Sequence, residues 1–256
     1  MNLVNLLKGL LNLQKKVDIK SLPSQGLFYN NDFEIIIKKA DVGDIIEYEH
    51  DYIKDDLGLV ITKLKKIVEK NTTFSSGYNF NDIKSIDVVF IFLEIVRFTK
   101  GKAVKLTYFD DELGEEKIIE FSSNYFNYFR LSEEVMEHYN KDSKEFIIED
   151  FKFSLPSIGV ENCVTNYLID KSDDYDVAKY NEFNYDFIFF LGNKRSVNFN
   201  EIDNLIQIFN YDIEESDSKK VRKVIKMFQP IQKYSLKRGN KIIEINSKID
   251  LEKIWK

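Results

Sequence analysis

The chain of 256 residues contains one cysteine, three prolines and ten glycines. A single cysteine, Cys163, excludes an internal disulfide framework and is typical of a protein made in a reducing compartment. The small numbers of proline and glycine argue against a loop-rich all-β fold and against long flexible linkers. An apolar content of 43% is a globular value, so we expect an ordinary hydrophobic core.

Ligands for a transition metal are equally scarce. His50 and His138 are the two histidines and lie far apart, and Cys163 has neither Cys nor His near it in sequence. A structural zinc site needs several such residues at close spacing. The acidic stretch 41–56 lacks the ligand spacing of a calcium-binding loop, so we interpret it as a solvated acidic surface. The sequence predicts neither a metal site nor a cofactor.

Signatures of catalysis are also missing from the sequence. No G-x-x-x-x-G-K-[ST], G-x-G-x-x-G or G-x-S-x-G occurs. A nucleophilic site would have to combine Cys163 or a serine with one of two histidines. Paired carboxylates for glycoside hydrolysis stay open, because any acidic chain contains candidates. We expect a protein that is not an enzyme.

The most apolar part of the chain is the stretch 83–101. Its length favours a helix over a strand, and a helix that is apolar almost all round is a buried one. Gly101 is placed to end it as a C-cap. Asp87, Glu94 and Arg97 interrupt the apolar run and would share one side of such a helix. We predict that Glu94 and Arg97 pair with each other or with neighbouring backbone, in a structural role. The run is too short to span a bilayer.

Ahead of this stretch, residues 2–16 have the spacing of an amphipathic helix. Docking on the body of the protein, docking on a partner protein and lying on a membrane surface are three open roles for it. Residues 27–29 and 33–39, separated by a turn signal, predict a β-hairpin.

Further elements follow from periodicity and capping signals. We predict helices at residues 57–70, 176–191, 198–209, 216–229 and 250–255, a strand at 146–153, and hairpins joining 102–109 to 116–121 and 234–236 to 241–245. Leu-Pro-Ser-x-Gly occurs twice, at residues 22–26 and 155–159, which is either a loose repeat or a coincidence. The predicted fold is α+β, with β-hairpins packed on a central buried helix and a helical C-terminal subdomain. Its segments are an N-terminal helix at 1–16, an α+β domain at 17–150 and a C-terminal subdomain at 151–256.

Charge is distributed unevenly. The net charge is −6, yet residues 218–243 carry nine basic side chains and no acid. This basic segment predicts docking to the acidic surface of a partner protein or to a nucleic acid. Its alternative role is a solvated surface balanced by the protein's own acids. The candidate partner-binding residues are Lys219, Lys220, Arg222, Lys223, Lys226, Lys237 and Arg238.

One pattern resembles a known family. The sequence SLPSQGLFY, followed by a predicted strand and by an apolar segment that ends in IVRFTKG, is similar to the T4-like bacteriophage baseplate hub assembly proteins. The segments FNEIDNLIQIFN and IDLEKIW are similar to the same type. The residues that carry the resemblance are Leu22, Pro23, Ser24, Gly26, Tyr29, Asp87, Arg97 and Gly101.

The resemblance implies a non-enzymatic role. Such a protein helps to assemble the hub of a contractile-tail baseplate, as a chaperone or as a minor structural component, by binding hub and tail proteins. It would act in the host cytoplasm during assembly, with the virion tail baseplate as a second location, and without a membrane. The alternative function is a nucleic-acid-binding regulator that uses the basic segment, although the negative net charge makes nucleic acid an unexpected partner.

Overall fold

The computed structural model is a mixture of helices and small antiparallel sheets, 50% helical and 19% strand, which confirms the α+β prediction. The structure describes residues 13–50, 57–110, 113–121, 133–148, 151–171, 185–191 and 194–208, together with 216, 219, 220, 223, 234–238, 241–245, 249, 250, 254 and 255.

Helices and strands are interspersed along the chain. The α-helices are α1 (Val42–His50), α2 (Leu57–Asn71), α3 (Val88–Lys100), α4 (Glu133–Met136), α5 (Ile158–Asp170) and α6 (Phe199–Gln207). The strands are β1 (Gln14–Lys16), β2 (Ile35–Lys38), β3 (Thr72–Phe74), β4 (Val104–Asp110), β5 (Glu115–Phe121), β6 (Tyr139–Asn140), β7 (Glu145–Ile148), β8 (Phe151–Phe153), β9 (Tyr234–Arg238), β10 (Lys241–Ile245) and β11 (Ile249–Asp250). Short 3₁₀ turns lie at Ile19–Ser21, Phe80–Asp82, Ser85–Asp87 and Tyr185–Leu191.

The predicted central helix is α3, which packs against α2, β2 and β4. It begins at Val88, later than predicted, because a 3₁₀ turn at Ser85–Asp87 precedes it. Gly101 adopts the left-handed conformation (φ 62°), and its N–H donates to the carbonyl of Arg97 at 3.0 Å, so the predicted C-cap is confirmed. Among the described residues no helix has the length and apolar character needed to cross a membrane.

The prediction of a helix at 2–16 is wrong for its last turn. Residues 14–16 form β1, which pairs antiparallel with β2 and places Lys15 opposite Ile37. Pairing with β2, whose Ile35 and Ile37 are buried in the main core, satisfies the backbone of β1, and this tertiary contact overrides the helical spacing. The rest of the predicted helix, up to residue 12, lies outside the described residues.

The hairpin predicted for residues 27–29 and 33–39 is also wrong in its pairing. The second segment does form a strand, β2, but its partners are β1 and β3. Residues 27–29 instead lie in consecutive tight turns, in which the N–H of Leu27 bonds to Ser24 and the N–H of Tyr29 bonds to Gly26. Turn formation uses the backbone groups that a hairpin strand would need.

Later elements follow the predictions more closely. β4 and β5 form the predicted hairpin, and β9 and β10 form a second one. The single strand predicted at 146–153 is instead two strands, β7 and β8, which pair antiparallel. Phe146 lies opposite Phe153 and both side chains are buried. Near the end of the chain β11 pairs with β4 and includes Asp250, the first residue of the helix predicted at 250–255. Residues 251–253 of that helix lie outside the described residues. Trp255 is buried edge-on against Phe92, with ring centroids 6.0 Å apart.

A second hydrophobic core lies in the C-terminal part. It joins α5, the 3₁₀ turn at Tyr185–Leu191 and α6. The predicted capping box of α6 is confirmed: Asn198 accepts from the N–H of Glu201, and Glu201 accepts from the N–H of Asn198. Of the predicted helix 176–191, residues 185–191 are described and form the 3₁₀ turn, and most of the predicted helix 216–229 lies outside the described residues.

The second Leu-Pro-Ser-x-Gly turn packs directly on the segment that leads into α3. The N–H of Ser85 donates to the carbonyl of Pro156 at 3.1 Å, and the N–H of Ile158 donates to the carbonyl of Ile83 at 2.9 Å. Gly159 follows in the first turn of α5, where a Cβ atom would lie 2.0 Å from the carbonyl oxygen of Arg195. The glycine therefore lets residues 194 and 195 cross the start of this helix at close range.

We expect Gly159→Ala to lower the free energy of unfolding by about 1–3 kcal/mol, because the added methyl group forces the crossing backbone to move. Urea denaturation followed by the fluorescence of Trp255 measures this. Gly43→Ala, in the first turn of α1, is the matched control, since its Cβ would approach only the carboxylate of Asp41 at 3.1 Å. Equal stabilities of the two variants would contradict the close approach at Gly159.

Candidate functional site

A buried polar cluster joins the N-terminal turn to the start of the central helix. The carboxylate of Asp87 is completely buried and accepts two hydrogen bonds, from the N–H of Ser24 at 2.8 Å and from the hydroxyl of Tyr29 at 2.7 Å. The oxygen of Tyr29 in turn accepts the N–H of Lys84 at 2.9 Å. Each oxygen of the buried carboxylate therefore has a donor. We call Ser24, Tyr29, Lys84 and Asp87 the central polar cluster.

The local sequence explains how the first turn reaches Asp87. Gln25 and Gly26 both have positive φ, 57° and 73°, so the chain reverses immediately after Ser24. A Cβ atom at position 26 would lie 3.3 Å from the carbonyl of Ile19, which adds a steric reason for glycine. Three residues later the ring of Tyr29 stacks on Phe33, with centroids 4.3 Å apart, and its hydroxyl faces the carboxylate. The turn thus supplies both donors to Asp87.

The remaining residues of the turn have core positions. Leu22 is 2% exposed and belongs to the main hydrophobic core, and Pro23 is buried beside it. The five residues of the N-terminal pattern and Asp87 are therefore parts of one local structure, although 58 residues separate Tyr29 from Asp87.

Lys84 is the basic member of the cluster and is 2% exposed. Its ammonium donates to the carbonyl of Leu155, in the second Leu-Pro-Ser-x-Gly turn, at 3.1 Å and lies 5.4 Å from the ring centre of Phe28. Burial lowers the pKa of Lys84 to about 8, against the opposing pull of Asp87 and Asp82.

Burial acts in the opposite direction on the acidic members of the cluster. It raises the pKa of Asp87 to about 6, and the hydrogen bonds from Ser24 and Tyr29 limit that rise. The pKa of Tyr29 is raised well above its usual value by burial and by the neighbouring carboxylate. At neutral pH, Asp87 and Lys84 are therefore both charged inside the protein.

A polar cavity of about 80 Å³ lies next to Lys84. Its opposite wall is formed by Arg195, whose Nε bonds to the carboxylate of Asp82 at 2.7 Å and whose guanidinium lies 4.9 Å from the ring centre of Tyr78. Ser157, the N-cap of α5, also borders the cavity. Of the residues around this cavity, Ser157 belongs to the Leu-Pro-Ser-x-Gly pattern at 155–159, and Lys84 is a basic residue at the edge of a long apolar run. Tyr78, Asp82 and Arg195 carry no sequence signal.

The polar stripe predicted on the central helix divides into two sites. Glu94, 4% exposed, accepts from Arg97 at 2.6 Å, so the predicted pair is present. Glu94 also accepts from Lys15 of β1 at 2.6 Å. The prediction of a helix at 2–16 did not include this contact. Asp87, expected on the same stripe, has the separate set of partners described above. The Lys15–Glu94–Arg97 group ties the edge strand β1 to α3, which is a structural role.

The candidate partner-binding residues are only partly described. Lys219, Lys220 and Lys223 are exposed and helical. Lys237 and Arg238 lie in β9, while Arg222 and Lys226 fall outside the described residues. Within the part of the chain that the structure describes, no group of three or more His, Cys, Asp and Glu side chains is arranged to hold a metal ion.

No family model, no curated protein and no solved structure matches this chain.

We expect Tyr29→Phe to lower the free energy of unfolding by about 1–3 kcal/mol, because it leaves a buried carboxylate and the N–H of Lys84 each short of one partner. Thermal and urea denaturation measure the loss. Tyr78→Phe is the matched control: the half-buried Tyr78 also donates its hydroxyl to an aspartate, Asp32, and accepts from Asn30, but both hydrogen bonds are exposed to solvent. We expect a change within about 0.5 kcal/mol for the control. Equal effects of the two substitutions would contradict a special role for Tyr29.

The raised pKa of Asp87 predicts a pH dependence of stability. Its carboxyl titrates near pH 6 in the folded chain and near 3.8 in water, so between these values the folded state holds a proton that the unfolded state has released. Stability therefore falls as pH rises from about 4 to about 6, by on the order of 2–3 kcal/mol from this group.

Urea denaturation of the wild type and of Asp87→Asn at pH 4, 5, 6 and 7 isolates this contribution. We expect the wild type to lose stability relative to the variant across this range, because an amide at position 87 does not titrate. Parallel curves for the two proteins would show that the carboxyl of Asp87 does not titrate in this range.

Proposed function

We propose that this protein is a non-enzymatic assembly factor or minor structural component of the baseplate hub of a contractile-tail bacteriophage, and that it acts by binding hub proteins. One observation carries the proposal. Ser24 and Tyr29, two residues of the N-terminal pattern that resembles the T4-like hub assembly proteins, donate hydrogen bonds to Asp87, a residue of the central part of the same pattern. Short matches that lie far apart in sequence thus belong to one local structure, which makes a chance combination less plausible as the source of the resemblance.

The binding surface that we assign to this role is the basic segment 218–243. Lys219, Lys220 and Lys223 present exposed side chains at helical positions. Their charge is opposite to that of the rest of the chain, which supports recognition of an acidic patch on a partner. Complementary charges at the rim of an interface chiefly speed association and select the partner.

Co-purification with the baseplate hub subunits of the phage that encodes the chain tests this function. We expect the quadruple variant Lys219→Glu, Lys220→Glu, Arg222→Glu and Lys223→Glu to lose co-purification, because it places like charges against the partner's acidic patch. Its circular dichroism spectrum and melting temperature should match those of the wild type.

A second quadruple variant controls for total charge. Reversal of the exposed lysines Lys38, Lys102, Lys141 and Lys152 changes the net charge by the same amount away from the basic segment. We expect this variant to keep its partner. Unchanged binding by the first variant, or equal loss by both, would contradict the assigned surface.

The alternative function, a nucleic-acid-binding regulator, uses the same lysines and is separated by a salt titration. A phosphate-binding surface loses affinity for DNA or RNA steeply as salt rises, with a slope set by the number of phosphates contacted. Saturable binding with such a slope, abolished by the first quadruple variant, would favour the regulator. Mass spectrometry of purified virions would show whether the protein stays in the finished particle.

A further inference from the structure

Strand β5 (Glu115–Phe121) is an edge strand of its sheet. The order in this sheet is β11–β4–β5, and β4 is the one strand among the described residues that pairs with β5. The outer side of an edge strand presents N–H and C=O groups, and a strand from another chain can pair with them. With seven residues, β5 is slightly longer than an average strand, so it offers a long template.

The solvent-facing side of β5 has an apolar centre between two acids. Ile119 is 7% exposed and lies opposite Leu106 in the main core, whereas Ile118 belongs to the other face and is 64% exposed. Glu116 and Glu120 share that face, because alternate residues of a strand lie on the same side. Charged residues discourage general pairing at an edge, but acids also select a basic strand.

The hairpin that contains β5 is negatively charged as a whole. Residues 104–121 carry six acids and two lysines, which leaves a net charge of −4. Lys117 already lies 3.9 Å from Glu115, so the lysine of β5 is engaged within its own strand. Opposite charges on neighbouring strands stabilise their pairing, whereas like charges destabilise it. The edge of β5 therefore favours a strand that carries cations.

The same chain contains a strand of that kind. β9 (Tyr234–Arg238) includes Lys237 and Arg238 and no acid, and among the described residues it pairs with β10 alone. A two-stranded hairpin is only marginally stable in water, so a third strand would stabilise it. The register places Tyr234 and Leu236 on one face, opposite Ile245 and Ile243. The hairpin is thus amphipathic, with a basic strand at one edge.

We propose that β5 of one copy of the protein pairs with β9 of a second copy. The pairing extends the sheet across the two copies, and the apolar face of the hairpin continues the face on which Ile118 is exposed. Pairing of β5 with β5 is disfavoured, because a two-fold arrangement centred on Ile118 would place Glu116 opposite Glu120 on both sides.

Such a contact joins two different surfaces, so it is heterologous. Each copy keeps one unused β5 and its partner one unused β9, and the copies can therefore continue into a ring or an open chain. The inference does not depend on the proposed assembly role.

Sedimentation velocity of the full chain over a range of protein concentrations tests the proposal. We expect the wild type to form dimers and larger species as its concentration rises, and we expect salt to weaken the association because it screens the charges. Ile118→Lys combined with Glu120→Lys should raise the dissociation constant about tenfold or more, since a basic β5 repels β9.

A matched pair of substitutions controls for the change in charge and in exposed apolar surface. Ile169, in α5, is 67% exposed, and Glu137 is exposed, and neither belongs to the sheet of β5. Ile169→Lys combined with Glu137→Lys should leave the association of the wild type unchanged. Circular dichroism checks that every variant is folded.

Mixing two defective variants shows which surfaces meet. The first variant is the one with a basic β5, and the second carries Lys237→Glu and Arg238→Glu, so that both of its surfaces are acidic. Each variant alone should be monomeric, because its two surfaces have the same sign. An equimolar mixture should regain association, because each surface then finds an opposite charge on the other variant.

Several outcomes would overturn the proposal. They are a wild type that stays monomeric at every concentration, equal loss of association by the β5 variant and its control, self-association of the second variant alone, and a mixture that stays monomeric. The β5 variant leaves the basic segment 218–243 unchanged, so its co-purification with hub subunits should persist. Failure of self-association would therefore leave the hub-binding proposal intact.

Discussion

The buried carboxylate of Asp87 is the contact on which the arrangement of the N-terminal half depends. A charge inside a protein is costly unless donors surround it, and the hydrophobic effect that drives burial has no direction of its own. Asp87 therefore specifies which groups must meet it: the N–H of Ser24 and the hydroxyl of Tyr29. Any packing of the first turn that missed either donor would leave the carboxylate short of a partner. The turn is fixed against α3 by this requirement.

Lys84 extends the same constraint towards the C-terminal part. Lys84 lies only three residues before Asp87. Its ammonium donates to the carbonyl of Leu155, and its backbone N–H donates to the hydroxyl oxygen of Tyr29. Phe28 from the first turn and Leu155 from the second share one small hydrophobic core with β7 and β8. A short segment with a charge near each end thus connects two turns that lie more than 130 residues apart in sequence. Burying the two charges near each other also lowers the cost of burying either one.

The parts of the fold that could be predicted are those with local signals. Gly101 as a C-cap, the capping box of Asn198 and Glu201, and the hairpin of β4 and β5 each depend on residues close together in sequence. Strand partners depend on distant residues, so β2 was recognised as a strand but assigned to the wrong neighbour. The same reason explains β1, whose helical spacing gave no sign of the strand that would cover it.

The candidate site shows the same division. Asp87 and Glu94 could be predicted as polar sites because they interrupt an apolar run, and the pairing of Glu94 with Arg97, one helical turn away, follows from their spacing. Their distant partners, Ser24 and Lys15, could not be predicted, because a charge in an apolar run requires a polar partner but does not specify which residue supplies it. Lys84 was missed for a related reason: it lies where the apolar run begins, a place where lysine is usually solvated. Its burial results from two turns closing over it, and each turn looks like an ordinary surface loop in sequence. A turn sequence that occurs both before and after an apolar segment, when that segment begins with a charged residue, is therefore a pattern that can indicate a buried contact between both turns and the charged residue.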